Sequence, residues 1–584
     1  MPNVIGISAF YHDSACCLIR NGQLIAAAQE ERFSRRKHDP SFPTTAFAFC
    51  LQQGGITIAD VDCVAYYEDP MLKFQRQLCM KRNQLSEHEV IRLWRSAWRP
   101  ERQIREVLGY SGRVHFVPHH LAHAASAFYY SGFDEAALFT VDGVGEWATT
   151  TYGIGDQKAI QILEEVQFPD SLGLLYSTIT NYLGFSVNDG EYKVMGLAPY
   201  GRPVFRHQVR RLLCSEPGGQ YRLDLQFFDF TRNDRMYTES LCSLFDHPPR
   251  LPETEIEQFH KDLASSLQIE LEELLIEKVD YLHSLTGTSN LCLAGGVALN
   301  CVAMGRLRTQ SRFTDIFIQP AAGDAGGALG AAALAHLAIT VTPIENKRLS
   351  DVYLGPAYSS AHIRKLLNAT SVLATDFSCN YDALLDAAVN FLVSGKVIAW
   401  FAGRMEFGPR ALGSRSILAD PRLPGMRDRI NRFVKRREAF RPFAPAVLAE
   451  EASKFFELSY QSPFMLETCR VRSEYDLPAI THVDGSARVQ TVGPDSNSRF
   501  RSLLAAFGAR TGYPILLNTS FNMRDEPIVC TPIDALLSFA QSDIDALVLE
   551  DFVVERAGVP PYWKGLSGRE TGKVSAIDSV YRMT

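Results

Sequence analysis

Three features that would each have set the class of this 584-residue chain are missing from it. No CxxC pair occurs among its 12 cysteines, so neither a zinc-ribbon pattern nor a thioredoxin-type redox pair is present. The cysteines sit mostly in apolar surroundings, as in Cys16-Cys17 and Leu291-Cys292-Leu293, which predicts buried free thiols rather than disulfides. No stretch is apolar for long enough to span a bilayer, and Met1-Pro2-Asn3 runs straight into Val4-Ile5-Gly6-Ile7 without a signal-type segment, so a cytoplasmic protein with no membrane partner is expected. Basic charge is not in excess either. With 59 Lys and Arg against 66 Asp and Glu, the net charge of −7 gives no global pull toward nucleic acid, and local basic clusters gain meaning.

What is present is a globular composition, 46% hydrophobic and 21% charged, in a chain too long for one core. Two large domains are expected, 1–350 and 351–584, divided in the Pro-interrupted, aperiodic stretch from Ile339 to Ser360. Val4 to Phe10 reads as a buried strand, and Asn21-Gly22 as a two-residue hairpin turn between strands. The same outline recurs from Ala136, through a strand to Val141, a polar Asp142-Gly143 loop and a second hairpin near Gly155-Asp156. A duplicated half-domain with ligands in the cleft between its halves is the reading.

The stretch around which the rest is organised is Pro118-His119-His120-Leu121-Ala122-His123. Pro118 suits a first helical turn and the Ala-rich run after it favours helix, so His119 and His123 share one face. Such pairs also occur on solvated helix faces without a ligand. Here they have company in Asp142, at the tip of a Gly-broken loop, and Asp324, in a second Gly-rich turn after Phe317-Ile318. Two His and two Asp form a mixed nitrogen and oxygen site suited to Fe(II), Mn(II) or Zn(II).

Other segments suggest anions. Glu30 to Pro40 is either a solvated charge run or a phosphate-binding loop at the cleft. Gly184 to Gly201 reads as a polar loop with Lys193 at its centre, and Ile256 to Leu285 as a long helix. Leu291 to Asn300 runs from strand through Gly295-Gly296 toward a helix, a geometry that lets backbone N–H groups approach phosphate. Arg404, Arg410 and Arg415 crowd one glycine-broken loop, and Lys435, Arg436, Arg437 and Arg441 alternate with aromatics and prolines. Clustered cations of this kind call for phosphate. Asn518 to Asn522 follows an apolar strand as either a phosphate- or ribose-binding loop or a capped turn.

Taken together, FYHDSA, EERFSRRKHD, HHLAHA, TVDGVGE, EYKVMGLAPYG, GGVALNC, QPAAGDAGGALGAA, GRMEFGPRALGSRSILADPR, KRREAFRPFAP and ILLNTSFN resemble the O-carbamoyltransferase family of nodulation protein U and the cephamycin carbamoyltransferases. The resemblance implies an α/β protein of two domains. The first is a duplicated actin-like domain of the tRNA-threonylcarbamoyltransferase type, and the second a YrdC-like domain. It implies an enzyme that makes carbamoyl adenylate from carbamoyl phosphate and ATP, with Mg, in the second domain. The carbamoyl group then passes to a hydroxyl of a small secondary-metabolite acceptor at a metal site in the first, iron being the usual ion.

By motif position the resemblance assigns the metal to His119, His123, Asp142 and Asp324, with His12 beside it as a catalytic group. Lys37, Gly295, Gly296 and Asn300 hold the adenylate. Arg410, Arg415, Lys435, Arg437, Arg441, Arg488, Asn518 and Ser520 bind carbamoyl phosphate and ATP, with Lys435 and Arg441 catalytic. Arg436 departs from the family pattern by adding a charge between Lys435 and Arg437. An acidic Asp229 is a candidate contact for the acceptor. The competing readings are an actin-like small-molecule kinase, which leaves the His pair and the cationic second domain without a role, and a nucleotide-binding regulator without transfer activity.

Overall fold

The computed structural model describes residues 2–80, 86–230 and 234–566; residues 567–584 of the expected second domain lie outside them. The chain separates into two compact units. Among the described residues, one is built from Asp39–Leu349 with the strands that precede Glu30, the other from Glu31–His38 together with the chain from Ser350 to Leu566. Among the described residues no helix is long and apolar enough to cross a membrane. The twelve cysteines are all unpaired, and seven of them are buried.

The first unit carries one topology twice. In its first half β1 (Asn3–Ser8), β2 (Ala15–Arg20) and β3 (Gln23–Gln29) form an antiparallel meander, and β4 (Cys63–Tyr66) and β5 (Arg113–Phe116) add in parallel on the other side of β1. The order is β3-β2-β1-β4-β5. In the second half β6 (Glu135–Val141), β7 (Ala148–Asp156), β8 (Ile160–Gln167), β9 (Asn290–Ala294) and β10 (Asp315–Ile318) repeat it as β8-β7-β6-β9-β10, with the same senses. The β2–β3 turn has Asn21 and Gly22 at φ 50° and 81°, the left-handed pair that a two-residue hairpin requires.

Each half ends in a helix. α1 (His119–Phe128) follows β5, α2 (Gln258–Thr286) crosses between β8 and β9, and α3 (Asp324–Ile339) follows β10. The equivalent helices α1 and α3 pack on each other and α3 packs on β1. Their residues make this possible. A Cβ at Gly330 of α3 would run into the Ala122 carbonyl of α1, and one at Gly6 of β1 into the Ala328 carbonyl, so glycine lets these backbones approach without intervening side chains. Close approach brings the N-termini of the two helices, and therefore His119 and Asp324, to one place.

Two local expectations change. Glu191–Leu197, read as loop, is helical, with Glu191 in its first turn and Val194, Met195 and Leu197 buried; the apolar spacing outweighs the glycines at either end. The helix after Gly295-Gly296 begins only at Cys301, its first turn capped by the Asn300 side chain, which accepts the Ala303 N–H at 3.1 Å.

The second unit is an eight-stranded mixed sheet. Its order is Thr375–Asp376, Phe552–Glu555, Ala546–Leu549, Ile398–Phe401, Arg415–Ala419, Ile515–Ser520, Ala444–Leu448 and Gln490–Val492. Strand alternation sends Ile398 and Trp400 to one face, against helices Tyr381–Val393 and Ser498–Thr511, and Ala399 and Phe401 to the other, against Pro532–Gln541. Both faces are covered, so the central strands read as continuous apolar runs. Each fully buried Leu, Ile or Phe contributes about 1.5–3 kcal/mol. The segment Glu31–His38 is part of this unit: Phe33 packs with Met405, Ala411 and Ile528, and Arg35 donates to the carbonyls of Ile528 at 2.6 Å and Pro527 at 2.9 Å.

Candidate functional site

In the first unit the duplicated elements converge. His119 is the first residue of α1 and Asp324 the first of α3, equivalent positions of the two halves. Asp142 lies on the β6–β7 loop, and His12 on the equivalent β1–β2 loop. Their ligating atoms, with that of His123 one turn into α1, draw together: one nitrogen or oxygen from each of His119, His123, Asp142 and Asp324 lies within 4.8 Å of all the others. His123 Nε2 is 3.0 Å from His119 Nε2 and 2.9 Å from Asp142 Oδ2, which is 3.2 Å from His119 Nε2. Asp324 Oδ1 lies 3.7 and 3.8 Å from the two nitrogens.

The donor set fits a divalent ion. The separations of 2.9, 3.0 and 3.2 Å match the edge of about 3 Å between neighbouring ligands on a cation with bonds of about 2.1 Å. Two imidazole nitrogens turned toward one carboxylate oxygen are satisfied together by such an ion. His12 Nε2 approaches the other oxygen of Asp324 at 3.9 Å, and its Nδ1 lies 3.0 Å from Asp13 Oδ2.

The carboxylates are oriented by their surroundings. Asp142 divides its oxygens: Oδ2 faces the histidines, while Oδ1 accepts the N–H groups of Gly143 at 2.7 Å and Gly296 at 3.2 Å. Tyr67 donates to Asp324 Oδ2 at 3.2 Å. The histidines are held differently. Nδ1 of both His119 and His123 is buried without a hydrogen-bond partner among the described residues. Packing orients His119, since a Cβ on Gly145 would stand 2.9 Å from its own Cβ, and the Tyr67 ring centre is 5.2 Å from the imidazole centre.

The electrostatics follow from crowding. Burial pushes the His119 imidazole down, but its hydrogen bond to Asp142 and the charges of Asp324, Asp142 and Glu146 lift it to about 9. Burial pushes the Asp142 carboxyl up, and its bonds to His119 and His123 overcome this and hold it well below the usual carboxylate range. Asp324 is raised, burial outweighing the charges of His12 and His119. His120 faces away from the cluster, with Nδ1 2.6 Å from Thr140 Oγ1, and burial together with its two His neighbours pushes it well down. The site thus concentrates lone pairs and negative charge where a cation can neutralise them.

Of the residues expected to hold adenylate, Gly295 sits at φ 93° with Val141 directly against its missing side chain, and the Gly296 N–H is spent on Asp142. Asn300 caps its helix and exchanges hydrogen bonds of 3.0 Å with Gln268. Lys37 stands in the second unit, near enough to Lys435 to act on its charge. Asp229 is half-buried in a loop where its backbone N–H donates to Met236.

The second unit gathers donors instead of acceptors. The chain around Lys435 leaves the regular helix through a π-helical turn, Ile430–Lys435, closed by Arg436 at φ 49°. That turn aims the buried Lys435 ammonium at the loop after strand Ile515–Ser520. Its three N–H bonds face four acceptors, Ser520 O at 2.6 Å, Ser520 Oγ at 3.2 Å, Asn522 O at 3.0 Å and Asn522 Oδ1 at 2.6 Å. Burial and the charges of Arg437, Arg441 and Lys37 push Lys435 well below the usual lysine value. Arg437 is braced by Asn431 Oδ1 at 2.8 Å and by the Phe443 ring at 4.7 Å, and Arg441 lies 3.5 Å from Glu438. Arg488 Nε is buried with no hydrogen-bond partner among the described residues.

Two further expected phosphate ligands make hydrogen bonds within the protein's own framework. Arg415 is fully buried, with its guanidinium 3.6 Å over the Phe401 ring, and donates to the carbonyls of Gly403 at 3.1 Å, Ser414 at 2.9 Å and Pro356 at 3.1 Å. Asn518 is buried and bonds Ala411 and Gln490 at 3.3 and 2.8 Å. Arg410 follows the loop that Glu406 organises by accepting the N–H groups of Leu412 at 2.8 Å, Ser414 at 2.7 Å and Arg415 at 3.3 Å.

A sequence model described as "Carbamoyltransferase N-terminus" matches residues 3–333, and one described as "Carbamoyltransferase C-terminus" matches residues 389–556. The chain belongs to the carbamoyltransferase family. It is therefore an enzyme, of mixed α/β architecture in two units. Nodulation protein NolNO of Sinorhizobium fredii is 40% identical over 96% of this chain and 81% of its own length. An uncharacterised protein of Synechocystis is 43% identical over 96% and 98%. The 3'-hydroxymethylcephem-O-carbamoyltransferase of Amycolatopsis lactamdurans is 36% identical over 46% of this chain and 49% of its own.

Three residues of this carbamoyltransferase's sites had no role assigned from the sequence. Glu146 stands in the TVDGVGE motif, which marked it, while Asn522 lay within the Asn518 to Asn522 loop already expected to bind phosphate or ribose. Tyr67, in the apolar run Cys63-Val64-Ala65-Tyr66-Tyr67, had no signal beyond that of a core aromatic. Gly143 was visible only as a turn.

Proposed function

We propose that this carbamoyltransferase works in two half-reactions, one in each unit. The second unit, YrdC-like in role, takes carbamoyl phosphate and ATP with Mg. Water hydrolyses carbamoyl phosphate to inorganic phosphate and carbamate, and a carbamate oxygen attacks the α-phosphorus of ATP. Pyrophosphate leaves and carbamoyl adenylate remains. Lys435, Arg437 and Arg441, with Lys37, Arg410, Arg488 and Ser520, supply the positive charge and donors that these phosphates need.

The first unit, actin-like in plan, then receives the adenylate. An acceptor hydroxyl attacks its carbonyl carbon, the bond to AMP breaks, and the hydroxyl proton is taken up by a base for which His12 is the candidate. His119, His123, Asp142 and Asp324 would hold a divalent ion, iron or else Mn or Zn, which would supply Lewis-acid polarisation of a carbonyl. Gly143 and Gly296 fix the Asp142 carboxylate, and the Tyr67 hydroxyl fixes that of Asp324. The acceptor is a small molecule carrying a hydroxyl, in keeping with the name of the cephem carbamoyltransferase relative. Asp229 is the candidate contact for a cationic one.

The observation that carries this reading is the pairing, within one family member, of a buried His2Asp2 cluster in one unit with a buried lysine among arginines in the other. The test is to incubate the chain with ATP and carbamoyl phosphate without acceptor. Carbamoyl adenylate and pyrophosphate, detected by mass spectrometry and a coupled assay, are expected. ADP in their place would move the chain to the kinases, and no turnover of ATP with metal supplied would make it a nucleotide-binding regulator.

A further inference from the structure

One buried carboxylate ties the metal-bearing segments together without facing the cluster. Helix α1, which carries both histidines, begins at Pro118, and no side chain at that cap position accepts its first N–H groups. The open end of a helix leaves such donors unsatisfied, and a buried one is costly. Glu146, 5% exposed, fills the gap from across the chain: Oε1 accepts the His119 N–H at 2.9 Å and Oε2 lies 3.1 Å from the same nitrogen. Oε1 also accepts the Asp69 N–H at 2.6 Å.

Those two bonds connect three parts of the site. Glu146 stands four residues after Asp142 on the β6–β7 loop. His119 opens the helix of the imidazoles. Asp69 ends the segment in which Tyr67 donates to Asp324 Oδ2. Every ligand-bearing segment is thereby linked to one carboxylate, directly for Asp142 and α1 and through Tyr67 for Asp324.

We infer that Glu146 is the positioning residue of the metal centre, setting the distance between the α1 histidines and Asp142 and so the affinity for the ion. This rests on the metal reading above. A carboxylate with no lone pair on the ion acts by keeping the ligands preorganised, and losses of such outer partners typically cost about 10–100-fold in metal affinity.

The test is Mn(II) binding to the full chain, followed by the paramagnetic signal of the free ion, in the wild type, Glu146→Ala and Glu146→Gln. The glutamine oxygen can stand where Oε1 stands and accept both N–H groups, so Glu146→Gln should stay nearer to the wild type. Glu146→Ala should lose about 10–100-fold in affinity. The thermal midpoint of each metal-free chain separates positioning from folding, and if Glu146→Ala fails to fold, a Mn(II) affinity series of Glu146→Gln and Glu146→Asp decides. Lower midpoints with unchanged Mn(II) affinity would overturn the inference alone. A wild type that binds no Mn(II), Fe(II) or Zn(II) would overturn the metal reading and the inference with it.

Discussion

The two units solve opposite electrostatic problems with the same means, a buried point toward which one kind of group is turned. In the first, two imidazoles and two carboxylates turn nitrogen and oxygen atoms on a common centre, at the spacing a cation would bridge. In the second, Lys435 turns its N–H groups on one loop, with Arg437 and Arg441 close enough to push its titration down, a crowding of cationic groups that an anion would offset. Both arrangements are held open by backbone. Gly143 and Gly296 hold Asp142 as the carbonyls of Ser520 and Asn522 hold Lys435. On the proposed two-step scheme each site serves a different part of one reaction, and each should then fail separately.

Separate failure is the sharpest way to break the comparison. His123→Ala should leave the chain without a bound transition metal and lower carbamoyl transfer by about 10³-fold or more, because Lewis-acid stabilisation is worth several kcal/mol. Metal analysis of the purified variant and transfer to any acceptor found by screening check it. Arg441→Ala should keep the metal yet slow acceptor-free pyrophosphate release by about 10²–10³-fold, the usual cost of one donor to developing charge. A colorimetric pyrophosphate assay reads that directly.

Smaller changes sharpen it. Gly296→Ala places a Cβ 2.9 Å from Asp142 Oδ1, so the carboxylate must shift. Metal affinity should fall about tenfold, as for loss of an outer-shell partner, with adenylate formation untouched. The smallest effect concerns protons. Lys435 titrates below its unfolded value, so between the two the folded, ligand-free chain binds fewer protons than the unfolded one, and stability rises with pH. Against Lys435→Met, the wild-type thermal midpoint should gain slightly from pH 7 toward pH 10, and added ATP should flatten that gain by favouring the ammonium.

Much of this was legible in the residues. Pro118 announces the start of α1, Asn21-Gly22 the first hairpin, and the spacing of His119 and His123 their shared face. The repeated strand-and-loop outline corresponds to the repeated sheet order. What stayed hidden depends on burial and on distant pairing. Arginines in a glycine-broken loop look alike in a sequence, yet the buried Arg415 turns its terminal N–H groups on three loop carbonyls. Asp324 reads as a turn residue, but helix α3 starts on it, because the Ala and Gly run extends back to that position. The placement of Glu31–His38 with the second unit follows from Phe33 and Arg35 meeting residues some 490 positions later, which no local pattern encodes.

The most direct test of two separate half-reactions is carbamoyl phosphate-dependent exchange of labelled pyrophosphate into ATP, measured in His123→Ala beside the wild type. The account predicts equal exchange in both, although the variant holds no transition metal. Exchange abolished in a normally folded His123→Ala would contradict it, by making the cluster in the first unit part of adenylate formation itself.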